Sequence, residues 1–240
     1  MSDGPVVLVR FGVPIPITRA LVGDYSLWFQ RALGDEPLGV VDLRDPDERL
    51  PRDAAAVIIM GSPQAVYDAH PWLARAQDEV RRLLADEVPL LGVCFGHQLL
   101  AVARGGVVER NPRGVEVGTT DVHLTPAAAR DPLFGEFDGR LRVNNSHDDA
   151  VVRLPEREPP TLLGSTGKDP HQVLRWGARA WSVQFHPEMQ ARETRLAVDW
   201  RSPRLASEGG DPLAVRDAAQ DSPDGVRLLR RFVALARGAS

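Results

Sequence analysis

The residues Pro89-Leu90-Leu91-Gly92-Val93-Cys94-Phe95-Gly96-His97-Gln98-Leu99-Leu100 carry the signal from which the fold can be predicted. An apolar run ends in Gly-x-Cys-x-Gly, and a helical pattern follows at once. This is the pattern of a nucleophile elbow, a sharp strand-to-helix turn, with cysteine in place of serine. The helix N-terminus favours a thiolate over a thiol, so Cys94 is a candidate nucleophile. The alternative is a buried structural cysteine whose neighbouring glycines serve a tight turn.

Short apolar runs alternate with helical patterns in the first half of the chain. The runs are Val6–Phe11, Gly39–Leu43, Ala55–Met60 and Val88–Val93, and Trp72–Ala85 has the spacing of an amphipathic helix. Strands that alternate with helices predict a mostly parallel sheet covered by helices on both faces. We therefore expect an α/β sandwich of three layers.

The second half has a different pattern, because its β-like segments have little helix between them. These segments are Val107–Arg110, Val115–Leu124, Leu141–Asn144, Thr161–Ser165, Val173–Trp176 and Ala180–Phe185. They predict a small antiparallel extension of the sheet, or a small second sheet. Helices are then predicted at Gln190–Trp200 and Gly225–Arg237, with a polar stretch near Ser202–Pro212 between them. We expect one domain over residues 1–240, with a core at 5–190 and a helical tail at 190–240.

Composition excludes several classes of protein. The chain has 240 residues, is 43% hydrophobic and carries 29 Lys+Arg against 33 Asp+Glu, a net charge of −4. This balance argues against a surface for nucleic acid or an anionic membrane. The single cysteine excludes an intramolecular disulfide framework and a four-thiolate metal site. Met1–Pro5 lacks a signal-peptide pattern, and no apolar segment approaches the roughly 18–20 residues of a membrane span. We expect a cytoplasmic protein.

A second motif, Trp181-Ser182-Val183-Gln184-Phe185-His186-Pro187-Glu188-Met189, supplies a candidate base. His186 follows a β-like run, and Glu188 could hydrogen-bond one imidazole nitrogen while the other faces Cys94. The alternatives are a capping histidine beside a solvated glutamate, or a metal site, which lacks a third ligand. We predict that Cys94, His186 and Glu188 are catalytic and expect no metal ion or cofactor.

The segment Gly92–Ala101, together with Gln184-Phe185-His186-Pro187-Glu188, resembles the class I glutamine amidotransferases. Within that family the chain is most similar to the glutaminase domain of GMP synthase and to its stand-alone relatives. Asn111–Thr119 resembles a stretch typical of the stand-alone branch. The resemblance covers nearly the whole chain and implies a flavodoxin-like fold with cysteine-dependent hydrolase activity.

The resemblance also implies a role for each matching residue. Cys94 would attack the carboxamide carbon of glutamine to give a γ-glutamyl thioester and ammonia. His186 would transfer the protons, and Glu188 would hold the imidazole. The oxyanion hole would be formed by backbone N–H groups of Phe95 and of the turn at Gly61 and Ser62. The substrate-binding residues would be Gln98, Ser146, His147 and Asp148.

Two residues depart from the family pattern. Ser62 stands at the second glycine of a Gly-Gly-Pro turn, and it would cost energy there if that position needs a positive φ. Asp148 stands where the family often has glycine in Ser-His-Gly-Asp. Its side chain could narrow the glutamine pocket, or its carboxylate could meet the ammonium group of another substrate.

Four tryptophans are expected to be packing groups: Trp72, Trp176, Trp181 and Trp200.

Three functions fit these observations. The first is a glutaminase subunit that passes ammonia to a separate ATP-dependent synthetase, because the chain has neither a P-loop-like nor a Ser-Gly-Gly-x-Asp-Ser motif. The second is a stand-alone γ-glutamyl hydrolase or peptidase that acts on other γ-glutamyl compounds. The third is a catalytically silent binding protein, which the complete set of Cys94, His186 and Glu188 disfavours. We prefer the first narrowly.

Overall fold

A nine-stranded sheet forms the centre of the computed structural model, which describes residues 4–238. The domain expected over 1–240 also includes Met1–Asp3 and the last two residues, which lie outside the described residues. The strands are β1 (Val6–Arg10), β2 (Leu38–Asp42), β3 (Ala56–Ile59), β4 (Leu90–Val93), β5 (Val107–Arg110), β6 (Glu116–Leu124), β7 (Arg140–His147), β8 (Asp149–Arg153), β9 (Thr161–Ser165), β10 (Val173–Arg175) and β11 (Ala180–Val183). The α-helices are α1 (Pro16–Val22), α2 (Tyr25–Leu33), α3 (Leu73–Ala85), α4 (Phe95–Ala103), α5 (Ala191–Ser207), α6 (Pro212–Asp217) and α7 (Pro223–Ala236).

The strand order of the sheet is β2-β1-β3-β4-β11-β10-β9-β6-β7. The first five strands run parallel to one another, and the other four extend the sheet by antiparallel pairing. Strands β5 and β8 pair separately as a two-stranded antiparallel sheet. The α/β class and the mostly parallel sheet with an antiparallel extension are thus confirmed. The extension and the second sheet, which the sequence offered as alternatives, are both present.

Apolar side chains of the parallel strands alternate between two faces. Leu8 and Ile58 pack on one face against α2 and α7. Val9 and Ile59 pack on the other against α3 and α4. Because side chains alternate with a period of two, strands rich in Val and Ile can fill both layers at once. The expected three layers are present.

The end of α5 differs from the prediction. The helix does not stop near Trp200 but continues to Ser207, through Pro203. Proline has no N–H for the carbonyl four residues earlier, which belongs to Asp199. The hydroxyl of Ser202 donates to this carbonyl at 3.0 Å and replaces the missing bond. The prediction of a polar stretch between helices near Ser202–Pro212 is therefore wrong for its first residues, which belong to α5.

Helices α1 and α2 lie between β1 and β2, where the sequence patterns gave no helix. The side chain of Asp24 accepts a hydrogen bond from the N–H of Tyr25 at 2.7 Å and caps α2. The indole of Trp28 donates to the carbonyl of Val22 at 3.0 Å, which ties α2 to α1. Within residues 4–238, no helix is long and apolar enough to cross a membrane.

We predict that Gly96→Ala destabilises the fold, because α4 lies directly against β3 at this position. A Cβ atom there would lie 2.4 Å from the backbone oxygen of Ile59, which cannot move without shifting β3. Overpacking of this kind lowers the free energy of unfolding by about 1–3 kcal/mol. Urea unfolding measures the change. Gly177→Ala is the matched control, since a Cβ at Gly177 meets nothing within 4 Å. Equal stability of the two variants would contradict the prediction.

Candidate functional site

Cys94 occupies the turn between β4 and α4. Its backbone has φ 51° and ψ −98°, a conformation that residues other than glycine rarely adopt. The N–H of Cys94 donates to the carbonyl of Val183 at 2.8 Å, so the turn is tied to β11. A Cβ at Gly92 would lie 2.7 Å from the backbone of Gly96. The turn therefore needs glycine at this position, as the sequence pattern predicts.

His186 lies three residues after the end of β11, the strand that pairs with β4. Its backbone N–H donates to the carbonyl of Asn144 at 2.8 Å. The Asn144 amide donates in turn to the carbonyl of Met189 at 2.9 Å. Nδ1 of His186 lies 2.7 Å from Oε1 of Glu188, and both side chains are buried. The backbone hydrogen bond and the contact with Glu188 thus hold the imidazole ring of His186 in place.

The imidazole of His186 lies beside the thiol of Cys94, since both residues border Gly61 and line the same cavity. Burial raises the pKa of the Cys94 thiol, but the charge and hydrogen bond of His186 outweigh burial and hold it below its ordinary value. Burial likewise lowers the pKa of His186, while the charges of Glu188 and Cys94 raise it to about 10. Both shifts favour a thiolate beside an imidazolium, a state suited to nucleophilic attack.

The turn at Gly61 and Ser62 lies against His186. A Cβ at Gly61 would come within 2.7 Å of the ring carbon Cε1 of His186, so a side chain is excluded there. Ser62 carries no strain of the expected kind, because the non-glycine residues with positive φ within residues 4–238 are Glu87, Cys94 and Glu158. Its hydroxyl donates to the carbonyl of Phe11 and accepts from the N–H of Gln64, both at 3.1 Å.

Phe95, the other residue expected to stabilise an oxyanion, begins α4. The first N–H groups of a helix have no acceptor within the helix, and they point out of its N-terminal end. The N–H of Phe95 follows Cys94 directly in the chain. This position suits an oxyanion donor, and the role stays a prediction.

A cavity of about 210 Å³ opens onto Cys94 and His186. Ser62, Ser146 and Asp148 line it, as does Arg201 of α5. The rest of the lining is mainly apolar or aromatic. It comes from the Gly61–Pro63 turn and from α1, α2, α5 and the segments before these helices: Pro14, Ile15, Thr18, Tyr25, Trp28, Pro63, Met189, Glu193, Leu196, Ala197 and Trp200. Trp200 is 60% exposed, so its expected role as a packing group is wrong.

The other two expected substrate residues, Gln98 and His147, are buried beside the nucleophile turn. The Gln98 amide donates to the backbone oxygen of Asp149 and to Oε1 of Gln184, both at 3.1 Å. Nε2 of His147 lies 3.1 Å from Oε2 of Glu116. Burial lowers the pKa of His147, but the hydrogen bond and charges of its acidic neighbours raise it above its ordinary value. The structure therefore places both side chains in internal hydrogen bonds.

Asp148 faces three guanidinium groups at the rim of the cavity. Its carboxylate lies 3.4 Å from Arg201, 3.5 Å from Arg204 and 3.6 Å from Arg110. Because these cations already balance the carboxylate, it is poorly placed to bind the ammonium group of a substrate. The ion pairs join the turn between β7 and β8 to α5.

Gln184 contacts the nucleophile and received no role from the sequence. Its side-chain amide donates to Sγ of Cys94 at 3.5 Å, while its Oε1 accepts from Gln98. The sequence feature that points to Gln184 is its place in the Gln-Phe-His-Pro-Glu motif, two residues before the histidine. That spacing puts it at the end of the strand beside β4.

Across residues 4–238, no group of three or more His, Cys, Asp or Glu side chains could hold a metal ion.

The chain is similar to several known proteins. The family model for glutamine amidotransferase class-I matches residues 33–198. GMP synthase (glutamine-hydrolyzing) of Aeropyrum pernix is 37% identical over 143 residues, which cover 60% of this chain and 26% of that protein. Gamma-glutamyl peptidase 4 of Arabidopsis thaliana is 33% identical over 173 residues, covering 69% of this chain and 68% of that protein. The chain thus spans only about a quarter of the length of the GMP synthase.

Solved structures share the fold. A glutamine amidotransferase from Thermotoga maritima superposes with a TM-score of 0.73 at 24% identity and covers 97% of both chains. A glutamine amidotransferase from Methylobacillus flagellatus has a TM-score of 0.72 at 22% identity and covers 98% of this chain and 94% of its own.

We predict that Gln184→Leu slows alkylation of Cys94 by iodoacetamide about tenfold near pH 7. The thiolate loses an N–H donor, and a hydrogen bond to a charged group contributes about 1.5–3 kcal/mol. The pKa of the thiol therefore rises, and the pH profile of the alkylation rate moves to higher pH. The rate of loss of free thiol, measured between pH 5 and 10, gives this profile.

The control is Gln77→Leu on α3, whose side chain accepts from Arg81 away from the cavity. This variant should retain the wild-type profile. If Gln184→Leu also retains it, the amide does not stabilise the thiolate.

Proposed function

The chain belongs to the class-I glutamine amidotransferase family, and from this premise we propose that it hydrolyses the γ-amide bond of glutamine by cysteine chemistry. The observation that carries the proposal is the buried row of Cys94, His186 and Glu188 at the floor of an open cavity. Residues 4–238 act as one catalytic domain in this proposal. The proposal includes a cytoplasmic location, where a reducing environment would keep the Cys94 thiol reduced.

The reaction begins with attack of Cys94 Sγ on the γ-carbonyl carbon of glutamine. As the C–N bond of the tetrahedral intermediate breaks, His186 donates its proton to the leaving nitrogen, and ammonia departs. The γ-glutamyl group is then held as a thioester. Neutral His186 next takes a proton from water, whose oxygen attacks the thioester carbon, and glutamate leaves as the C–S bond breaks. Glu188 keeps the imidazole oriented and stabilises its cationic form.

The oxyanion of each tetrahedral intermediate needs hydrogen-bond donors. We assign the N–H of Phe95, which follows Cys94 in the chain, and an N–H from the turn at Gly61 and Ser62, which lies against His186 and Cys94. A donor of this kind stabilises the transition state by about 3 kcal/mol. Ser62 can stand in place of glycine in this turn, because its backbone does not have a positive φ.

The α-amino and α-carboxylate groups of the substrate are assigned to the segment Ser146-His147-Asp148. Ser146 and Asp148 line the cavity and would contact these groups, while the ring of His147 is directed to Glu116 and holds the segment from within. Gln98 acts in the same proposal by holding the backbone of Asp149, directly after this segment.

The fate of the ammonia separates two candidate functions. In the first, a separate ATP-dependent synthetase takes it up, which the similarity to one part of GMP synthase supports. In the second, the chain is a stand-alone γ-glutamyl hydrolase. The match to gamma-glutamyl peptidase 4 supports this candidate, since it covers similar shares of both proteins.

We predict that Cys94→Ala and His186→Gln lower glutamate release from glutamine by about 10³-fold or more. Each variant removes a member of a group that acts as a unit. Glu188→Gln should retain more activity, because the nucleophile and base remain while the imidazolium loses its counter-charge. Glutamate formation is followed enzymatically, in parallel with the melting temperature of each variant.

The matched control for His186→Gln is His123→Gln, at an exposed position of β6. It should keep wild-type activity. Glutamate release that survives in folded Cys94→Ala would contradict the proposed chemistry.

A further inference from the structure

The cavity above Cys94 has two chemically different ends. Ser146, Asp148 and Arg201 form a polar end. The cavity also borders a small apolar cluster of Val22, Trp28 and Met189, which is separate from the two core layers of the sheet. Partly buried apolar side chains complete the cluster: Tyr25, Leu196 and Ala197. Most of these residues also line the cavity.

The polar end suits the glutamyl part of a substrate. The α-carboxylate can meet the guanidinium of Arg201, and the α-amino group can meet acceptors of the segment at Ser146. The γ-carbonyl then lies over Cys94. The amine portion that leaves the γ-carbon then has the rest of the lining to contact, and that lining is mainly apolar.

The apolar side chains of this cluster form one wall of the cavity. The leaving group of glutamine does not use this wall, because ammonia has no apolar surface. An apolar wall beside the scissile bond gains free energy only from a leaving group with apolar surface to bury. The wall is also held in place. Arg201 and Arg204 pair with Asp148, so the helix that carries Leu196 and Trp200 is anchored to the polar end.

Trp200 stands at the mouth of this wall. It lies four residues after Leu196 and thus on the same face of α5. Its side chain lines the cavity while the residue is 60% exposed. An aromatic ring that is open to solvent at the rim of a cavity is a typical anchor for a ligand, because ligand binding would bury it.

We propose that the site accepts γ-glutamyl amides whose amine portion is apolar, and that Leu196 and Trp200 contact that portion. This inference rests on the proposed cysteine hydrolase function and narrows its substrate class. The step is the same hydrolysis: the C–N bond breaks, His186 protonates the leaving amine, and water releases glutamate from Cys94.

The test compares γ-glutamyl benzylamide with γ-glutamyl methylamide, using glutamate release by the whole chain. We expect kcat/KM to be at least about tenfold higher for the benzylamide, since apolar groups in such pockets discriminate by about 10–200-fold. Trp200→Ala should lower the benzylamide-to-methylamide ratio by about tenfold. Leu213→Ala removes another exposed apolar side chain, 72% exposed on α6, and should leave the ratio unchanged.

The outcomes separate this inference from the function on which it rests. Glutamine hydrolysis with equal or lower kcat/KM for the benzylamide would overturn the apolar subsite and leave the hydrolase intact. A preference for the benzylamide that survives in Trp200→Ala would overturn the role of Trp200. Absence of hydrolysis of glutamine and of both amides would overturn the inference together with the hydrolase function.

Discussion

The backbone of Cys94 turns from β4 into α4 through φ 51° and ψ −98°, a conformation that costs about 1–3 kcal/mol for a residue with a side chain. The surrounding fold must hold this turn, and it does so by close packing. Gly92 lets the strand approach the first turn of the helix, and Gly96 lets the helix lie on Ile59 of β3. The resulting geometry presents the thiol at the edge of the sheet. The cavity and the imidazole of His186 both lie beside that strained residue.

Burial of charge is the second constraint at the site. Burial alone would keep the Cys94 thiol and the His186 imidazole neutral, because a low-dielectric interior disfavours ions. The neighbouring charges oppose this effect, because they lower the pKa of the Cys94 thiol and raise that of His186, whose imidazole lies 2.7 Å from Glu188. The amide of Gln184 donates to the same sulfur, and the amide of Gln98 donates to Oε1 of Gln184. The reactive pair therefore depends on polar residues that never reach the cavity surface.

The strand-turn-helix at Cys94 could be read from the sequence because its glycines and apolar run are local signals. The parallel strands followed from continuous Val and Ile runs such as Ala55–Met60. Helices α1 and α2 could not be read in this way, because they are short and are stabilised by tertiary contacts, such as Trp28 on Val22. The continuation of α5 past Pro203 depends on one hydroxyl contact, from Ser202. The pairing of Asp148 with arginines over 50 residues away in the chain likewise has no local signal.

The central claim is that Cys94 forms a covalent γ-glutamyl intermediate. Intact-protein mass spectrometry after rapid acid quench of the protein with glutamine tests it most directly, followed by peptide mapping of the adduct. Our account predicts one γ-glutamyl group, located on the peptide that contains Cys94 and lost on incubation at alkaline pH, as a thioester requires. An adduct on another residue, or steady glutamate release by the Cys94→Ala protein, would contradict it.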